Sequence, residues 1–302
     1  MTKARRGIYA AAVSPLNEDG TLDAAALVGY AGELLENGCD GVAPTGTTGE
    51  GTSLSLADRL ALPTAFAKAG IAADRVIFGA GAAALGDAIR LVRGALAAGY
   101  PNVLVLPPFY YKSPSDDGLY DYYARLIEGA GGDGLRVYLY HFPQMSAVPL
   151  STDLVLRLRV AFGETIAGLK DSSGDFAQSA AFLAATGGVE AGFDVYPSSE
   201  AMLWDGLDIG AAGVISGSTN AFGTLAQAAL QAAAGPARDA AMARVVAARA
   251  MAACYPLMAA MKQIEAWRSD DPDWERMAPP LMPLSDDQKA SLQADLAALD
   301  AG

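Results

Sequence analysis

The chain has 302 residues, 52% of them hydrophobic and 18% charged, with 33 glycines, a profile able to bury a sizeable core as one large domain or two ordinary ones. Asp and Glu number 34 against 21 Lys and Arg, and the net charge of −13 disfavours nucleic acid and anionic membrane as partners. One histidine, His141, and two cysteines, Cys39 and Cys254, exclude most zinc sites and any disulfide framework, so chemistry must come from other side chains.

The N-terminus carries Lys3, Arg5 and Arg6, but the apolar stretch over 8–13 is only strand length and runs into Ser14-Pro15, which does not match a secretory signal. No apolar run of about 18 residues follows, so no membrane span is expected. Two widely spaced cysteines without an export signal point to the reducing cytoplasm.

Short β-rich or apolar runs predict strands over 7–13, 41–44, 75–79, 102–106, 136–140, 166–170, 189–193 and 213–215. Helices are expected between them over 23–37, from Ser55 toward Lys68 and Gly70, and over 87–98, 116–128, 152–161, 175–186 and 199–207. Gly38 stops the first, and Ser55-Leu-Ala-Asp58 opens the second as a variant capping box with Asp in place of Glu or Gln. Strand and helix alternate every 25 to 35 residues or so, and the strands lack a polar face, which predicts parallel strands covered by helices. Eight such units match an α/β fold of the (β/α)8 TIM-barrel type; the alternative is a doubly wound open sheet. Beyond Asn220 the texture changes to alanine-rich helix over 221–235, 237 to 267 with a kink at Pro256, and 285–299. A loop with four prolines over 269–284 separates the last two. The expected division is a barrel over 1–220 and a helical region over 221–302 that packs on the barrel, on a partner subunit, or on both.

Active sites of such barrels sit where the C-terminal strand ends meet the following loops. The second strand runs into Pro44-Thr-Gly-Thr-Thr-Gly-Glu-Gly51, where glycines allow a tight turn and successive N–H groups form an anion nest beside threonine hydroxyls. It lacks the Gly-Lys-Ser/Thr ending of a nucleotide P-loop, and a plain turn with capping threonines would use the same residues. Lys170 closes the apolar sixth strand. A buried ammonium is rarely without purpose, since desolvation favours the free amine that attacks carbonyls; an ion pair with Asp171 or a snorkelling lysine is the structural alternative. On the fifth strand, alternation puts Tyr138 and Tyr140 on one side, Leu139 and His141 on the other. Tyr140 can shuttle a proton or pack in the core. His141 is the one histidine available as a base, though a lone histidine is more often structural. The run Leu106-Pro-Pro-Phe-Tyr-Tyr-Lys112-Ser-Pro reads as a stiff exposed loop for packing or an interface.

The combination of Gly46-Thr-Thr-Gly-Glu50, Tyr140 followed by Pro143, and Gly168-Leu-Lys170-Asp-Ser-Ser-Gly174 resembles the dihydrodipicolinate synthase / N-acetylneuraminate lyase superfamily. Tyr110-Tyr111, Gly192-Phe-Asp194 and Gly213-Val-Ile-Ser216 with Asn220 carry the likeness, in order, across almost the whole barrel. The resemblance implies a metal-independent class I mechanism without a cofactor, in which Lys170 forms a Schiff base with pyruvate or another 2-keto acid. By the same likeness Tyr140 is the proton shuttle, Thr47 relays, and Tyr111 completes the relay, often across a tight dimer interface. Thr47 and Thr48 hold the pyruvyl carboxylate, Gly192 and Ile215 add backbone contacts, and Ser172 touches substrate. His141, where asparagine is usual, hydrogen-bonds the aldehyde or a sugar hydroxyl, or supports the loop. The resemblance also implies a homo-oligomer, a dimer or more commonly a tetramer.

Two departures bear on the second substrate. The arginine that binds the aspartate semialdehyde carboxylate in the synthases is here Met145, and a thioether cannot form a bidentate carboxylate pair. The sialic acid branch tends to have Gly-Ser-Thr-Gly-Glu and an acid where this chain has Gly-Thr-Thr-Gly-Glu and Val195. The expectation is therefore a pyruvate-dependent Schiff-base lyase or synthase, joining or cleaving a small 2-keto acid and an aldehyde other than aspartate semialdehyde. The alternatives are a dehydratase or aldolase on a 2-keto-3-deoxy sugar acid and a non-catalytic keto-acid-binding barrel. Metal-dependent aldol chemistry fits poorly with one histidine and no clustered acid triad.

Overall fold

The computed structural model describes residues 3–301; Met1, Thr2 and Gly302, at the ends of the two expected regions, lie outside the described residues. The first strand, β1 (Gly7–Ala10), is followed by helix α1 (Ala24–Glu36), whose N-cap Asp23 accepts from Ala26 N–H at 2.9 Å. Then come β2 (Gly41–Val42), α2 (Leu56–Lys68), β3 (Phe78–Gly79), α3 (Leu85–Ala97), β4 (Asn102–Val105) and α4 (Asp116–Ala130). Next are β5 (Arg136–His141), a single turn α5 (Pro143–Ser146), α6 (Thr152–Phe162), β6 (Ile166–Asp171) and α7 (Phe176–Thr186). The set ends with β7 (Asp194–Tyr196), α8 (Leu203–Asp208), β8 (Gly213–Ser216) and α9 (Thr219–Gln231). Ser55 caps α2 as the sequence predicts, accepting from Asp58 N–H at 3.1 Å.

All the strand pairs are parallel, in one run β2-β1-β8 and a second run β3-β4-β5-β6-β7. A parallel bridge between Val42 and Val76 joins β2 to the entry of β3, and Ala212 N–H donates to Val195 O at 2.9 Å to join β7 to β8. The ring closes, and the fold is a (β/α)8 barrel with a C-terminal helical part rather than an open sheet. Closure leaves no unpaired strand edge.

One strand lies elsewhere than expected. The apolar run over 189–193 forms a 3-10 turn, Gly188–Ala191, and β7 begins at Asp194. Gly187, Gly188 and Gly192 all take positive φ there, a conformation incompatible with a strand, so the glycines overrule the β-branched Val189.

Two apolar layers result. Tyr9, Ala11, Ala43, Ile77, Leu104, Tyr138, Tyr140, Ala167, Tyr196 and Ile215 fill the barrel interior, while Ile8, Val42, Val103, Leu139, Leu169 and Val214 face the helices. Three tyrosines pack together in the lower interior, Tyr9 edge-on to Tyr196 at 5.9 Å between ring centres and Tyr138 tilted against Tyr196 at 6.1 Å. Below them Asp194 is fully buried, paired with Lys3 at 3.0 Å and Arg6 at 2.9 Å, and Tyr138 OH donates to it at 3.4 Å. The Asp of Gly192-Phe-Asp194 thus plugs the N-terminal end of the barrel.

Helix α9 covers β1 and begins at Thr219, whose hydroxyl bonds Tyr9 O at 3.0 Å, so the expected division at residue 220 falls just inside it. Asn220 donates to Ala11 O at 2.8 Å and accepts from Val13 N–H and the Tyr30 hydroxyl, fastening α9 to the wall. The chain continues through α10 (Pro236–Ala252), α11 (Leu257–Ser269) and α12 (Asp286–Ala301). The expected kink at Pro256 is a 108° break between α10 and α11. No single helix among the described residues is long and apolar enough to cross a membrane.

Candidate active site

Parallel pairing puts Tyr140 of β5 directly beside Lys170 of β6, and Lys170 beside Tyr196 of β7. The register depends on an irregularity between Val137 and Tyr138, which sets both Tyr138 and Tyr140 against inward-facing positions of β6. It depends also on Gly168: a Cβ there would lie 2.1 Å from Asp194 O, so only glycine lets β6 and β7 approach at this point. Lys170 is 5% exposed, and its Nζ donates to the Tyr140 hydroxyl at 3.3 Å while lying 4.5 Å from the centre of that ring. The ion pair with Asp171 does not form: Asp171 points to the other face and accepts from Ser179 Oγ at 2.6 Å and Ser173 N–H at 2.8 Å. The Tyr140 hydroxyl also lies 3.3 Å from Thr47 Oγ1, giving a continuous row of amine, phenol and alcohol.

Thr47 belongs to the loop between β2 and α2. Its conformation is held by Ser14 Oγ donating to Gly49 O at 2.7 Å and Thr45 Oγ1 to Gly79 O at 3.0 Å. Gly51 is required here, since a Cβ would lie 1.9 Å from Thr45 O. The backbone N–H groups of Thr47 and Thr48 have no acceptor among the described residues, as an anion nest demands. Glu50, the last residue of the motif, turns away: it is fully buried against Lys262 of α11 at 2.7 Å and accepts from Ala278 N–H at 2.6 Å. Burial pulls the Lys262 ammonium below its ordinary value, with Glu50 acting against it.

These groups open on one cavity of about 260 Å³ lined by Thr47, Thr48, Tyr140, Met145, Lys170, Ser172 and Ile215 together with Phe142, Gly174, Ser198, Ser216, Gly217, Arg249, Leu257 and Met258. The volume falls just below the roughly 300 Å³ at which drug-sized ligand pockets begin, a size suited to a small substrate. Seven of the ten residues singled out from the sequence meet in it. Met145 sits at the mouth, 57% exposed.

The other three lie elsewhere. Gly192 precedes β7 rather than following it, so it sits at the opposite end of the barrel, its carbonyl accepting from Lys3 Nζ at 3.4 Å; this corrects the expected substrate contact. His141 also departs from expectation. It is the next residue along β5 from Tyr140, so alternation turns its ring out of the barrel against Phe182 at 5.3 Å, where Nδ1 accepts from Leu150 N–H at 3.0 Å. Burial lowers its pKa from the ordinary 6.5, opposed by nearby Asp171. In this position the ring braces the loop at Leu150 and does not line the cavity. Tyr111 is 79% exposed, its ring edge-on to Tyr110 at 5.2 Å, and it does not reach the cavity within one chain.

Sequence reasoning missed Ser198 and Arg249. Ser198 follows β7, and moving that strand to its observed place would have found it. Arg249 lies on α10, remote from the barrel strands, and no local signal marks it.

The model of the dihydrodipicolinate synthetase family matches residues 4–299. An uncharacterized DapA-like lyase of Chloroflexus aurantiacus is 37% identical over 306 residues, covering 98% of both chains. The 4-hydroxy-tetrahydrodipicolinate synthase of Thiobacillus denitrificans is 34% identical over 216 residues, 71% of this chain and 70% of that one. Among solved structures, dihydrodipicolinate synthase from Agrobacterium tumefaciens superposes with a TM-score of 0.87 at 31% identity, over 98% of this chain and 99% of that one. The chain belongs to the dihydrodipicolinate synthetase family and is a carbon–carbon lyase of the class I, Schiff-base type.

Proposed function

We propose that this member of the dihydrodipicolinate synthetase family condenses pyruvate, or cleaves a longer 2-keto acid to pyruvate and an aldehyde, through a Schiff base on Lys170. The observation that carries the reading is the row Lys170 Nζ, Tyr140 OH and Thr47 Oγ1, each 3.3 Å from the next, beside two unpaired N–H groups in one cavity. In this reading the N–H groups of Thr47 and Thr48 receive the keto-acid carboxylate, which brings the keto carbon to Lys170. The amine adds to that carbon, and Tyr140 supplies the proton with which the former carbonyl oxygen leaves as water, giving an iminium. A proton then leaves the neighbouring carbon, its bonding electrons flow into the iminium, and the resulting enamine attacks the aldehyde carbon while the aldehyde oxygen takes a proton. Water hydrolyses the new iminium and returns the amine; cleavage runs the steps in reverse. No cofactor enters beyond the substrate carbon bound to Lys170.

Thr47 hands protons between Tyr140 and its surroundings, and Ser172 and the Ile215 backbone bound the substrate. Tyr111 serves the relay only from a second copy of the chain, because its own ring stands in solvent; the reading therefore includes a homo-oligomer. It also takes the free thiols of Cys39 and Cys254 as the mark of a reducing, cytoplasmic setting. Met145 at the cavity mouth supports an acceptor other than aspartate semialdehyde, since it offers no cation to a carboxylate at that point.

The test is borohydride reduction in the presence of pyruvate, followed by peptide mapping. A three-carbon adduct on Lys170, absent from Lys170→Ala, is the expected result. Protein that binds pyruvate without forming that adduct overturns the mechanism and leaves a keto-acid-binding barrel.

A further inference from the structure

The cavity that holds Lys170 also holds a guanidinium and no carboxylate. Arg249 reaches it from α10, and no Asp or Glu is among the lining residues. In a chain of net charge −13 such a lining is a strong local inversion of sign. Arg249 forms no ion pair among the described residues; its one hydrogen bond is a long contact of 3.4 Å from Nη1 to Ser218 Oγ. The rest of its donor fork is free for a ligand. Ser218 is itself fixed: fully buried, it donates to Glu200 Oε1 at 2.5 Å and lies 3.1 Å from Ser216 Oγ. Glu200 is 1% exposed and its second oxygen has no partner among the described residues, so the carboxyl meets the guanidinium only through the serine hydroxyl and does not line the cavity. The row Glu200, Ser218, Arg249 positions a guanidinium at the cavity wall and leaves its fork unused.

We infer that Arg249 is the specificity residue for the second substrate, binding a carboxylate at the end of the aldehyde remote from its reacting carbon. The inference rests on the Schiff-base reading above and extends it to a substrate class: aldehydes that carry an acid group, and hence condensation products with an acid at each end. A single guanidinium fork matches the two oxygens of a carboxylate. The acid-free lining gives no partner to an ammonium group and Arg249 repels it, so an α-amino aldehyde is disfavoured while its deaminated counterpart is accepted. Arg249 thus places on α10 the carboxylate recognition that Met145 cannot supply from the β5 side.

The experiment compares kcat/KM, with pyruvate saturating, for succinic semialdehyde, butanal, aspartate semialdehyde and glyceraldehyde 3-phosphate. It uses the wild type, Arg249→Gln and Arg249→Lys, each also checked for the borohydride adduct on Lys170. The wild type is expected to favour succinic semialdehyde over butanal by about 30-fold, as a charged hydrogen-bonded pair supplies. Arg249→Gln removes that preference with adduct formation intact, and Arg249→Lys recovers part of it. Equal rates for the two aldehydes, or an unchanged ratio in Arg249→Gln, overturn the subsite while leaving the Schiff base standing. Preference for the phosphate or for aspartate semialdehyde overturns the assignment to a simple carboxylate. Absence of the adduct from the wild type overturns the mechanism and the subsite together.

Discussion

Lys170 Nζ and the Tyr140 hydroxyl stand 3.3 Å apart on adjacent parallel strands, with the amine also 4.5 Å from the centre of the tyrosine ring. A phenol in that position can trade protons with the nitrogen and with anything bonded to it, and Thr47 extends the path by one hydroxyl.

Removing the phenol oxygen should therefore separate binding from turnover. Tyr140→Phe is expected still to bind pyruvate and to reach the borohydride adduct on long incubation, but to form it more slowly, while lowering kcat by about 100-fold or more, the usual span for a lost general acid–base group. Thr47→Val should lower kcat less and raise KM for pyruvate as well, because the residue also shapes the N–H nest. Steady-state kinetics with adduct mapping checks both; a Tyr140→Phe enzyme at full kcat would remove the tyrosine from the mechanism.

His141 offers the opposite outcome, a loss of stability without loss of chemistry. His141→Phe leaves the Leu150 N–H without its acceptor, at a cost of about 1–3 kcal/mol in urea unfolding, with kcat unchanged in the folded fraction. The pH dependence has a definite sign. Burial depresses the folded-state pKa below the ordinary 6.5, so below pH 6.5 the unfolded chain binds the proton first. Stability from this group is complete above 6.5 and is lost as pH falls through the window beneath it. His141→Phe should flatten that acid limb; a limb of unchanged slope would assign it to other groups.

The Glu50–Lys262 pair, fully buried on both sides, gives the third test. Lys262→Met strands a buried carboxylate and should destabilise the fold by about 3–5 kcal/mol, while Glu50→Leu combined with Lys262→Met should recover much of the loss. Denaturant unfolding of the two singles and the double measures this. Because Glu50 ends the loop that carries Thr47 and Thr48, Lys262→Met should also raise KM for pyruvate.

How far the sequence reveals this molecule depends on how local each signal is. Alternation along β5 was enough to put Tyr140 and His141 on opposite sides, though not to take His141 off the list of substrate contacts, and the position of Lys170 at its strand end marked the reacting face. The displaced β7 shows the limit of local reading: Val189 has strand propensity, yet three glycines at positive φ place it in a turn, and the misplacement carried Gly192 to the wrong end of the barrel. Arg249 was beyond reach for a different reason. Its place in the cavity is set by a 108° break between two helices and by their packing over the barrel mouth, which no spacing within α10 records. Glu50 reads as part of a ligand-binding motif, but its partner lies 212 residues away, so only the folded chain discloses that it is an anchor.

That anchor makes the loop and the appended helices mechanically one piece. Lys262 grips Glu50 from α11, and α10, one sharp turn upstream, bears Arg249, so a single buried ion pair fastens the chain that carries Thr47 and Thr48 to the chain that carries the guanidinium of the same cavity.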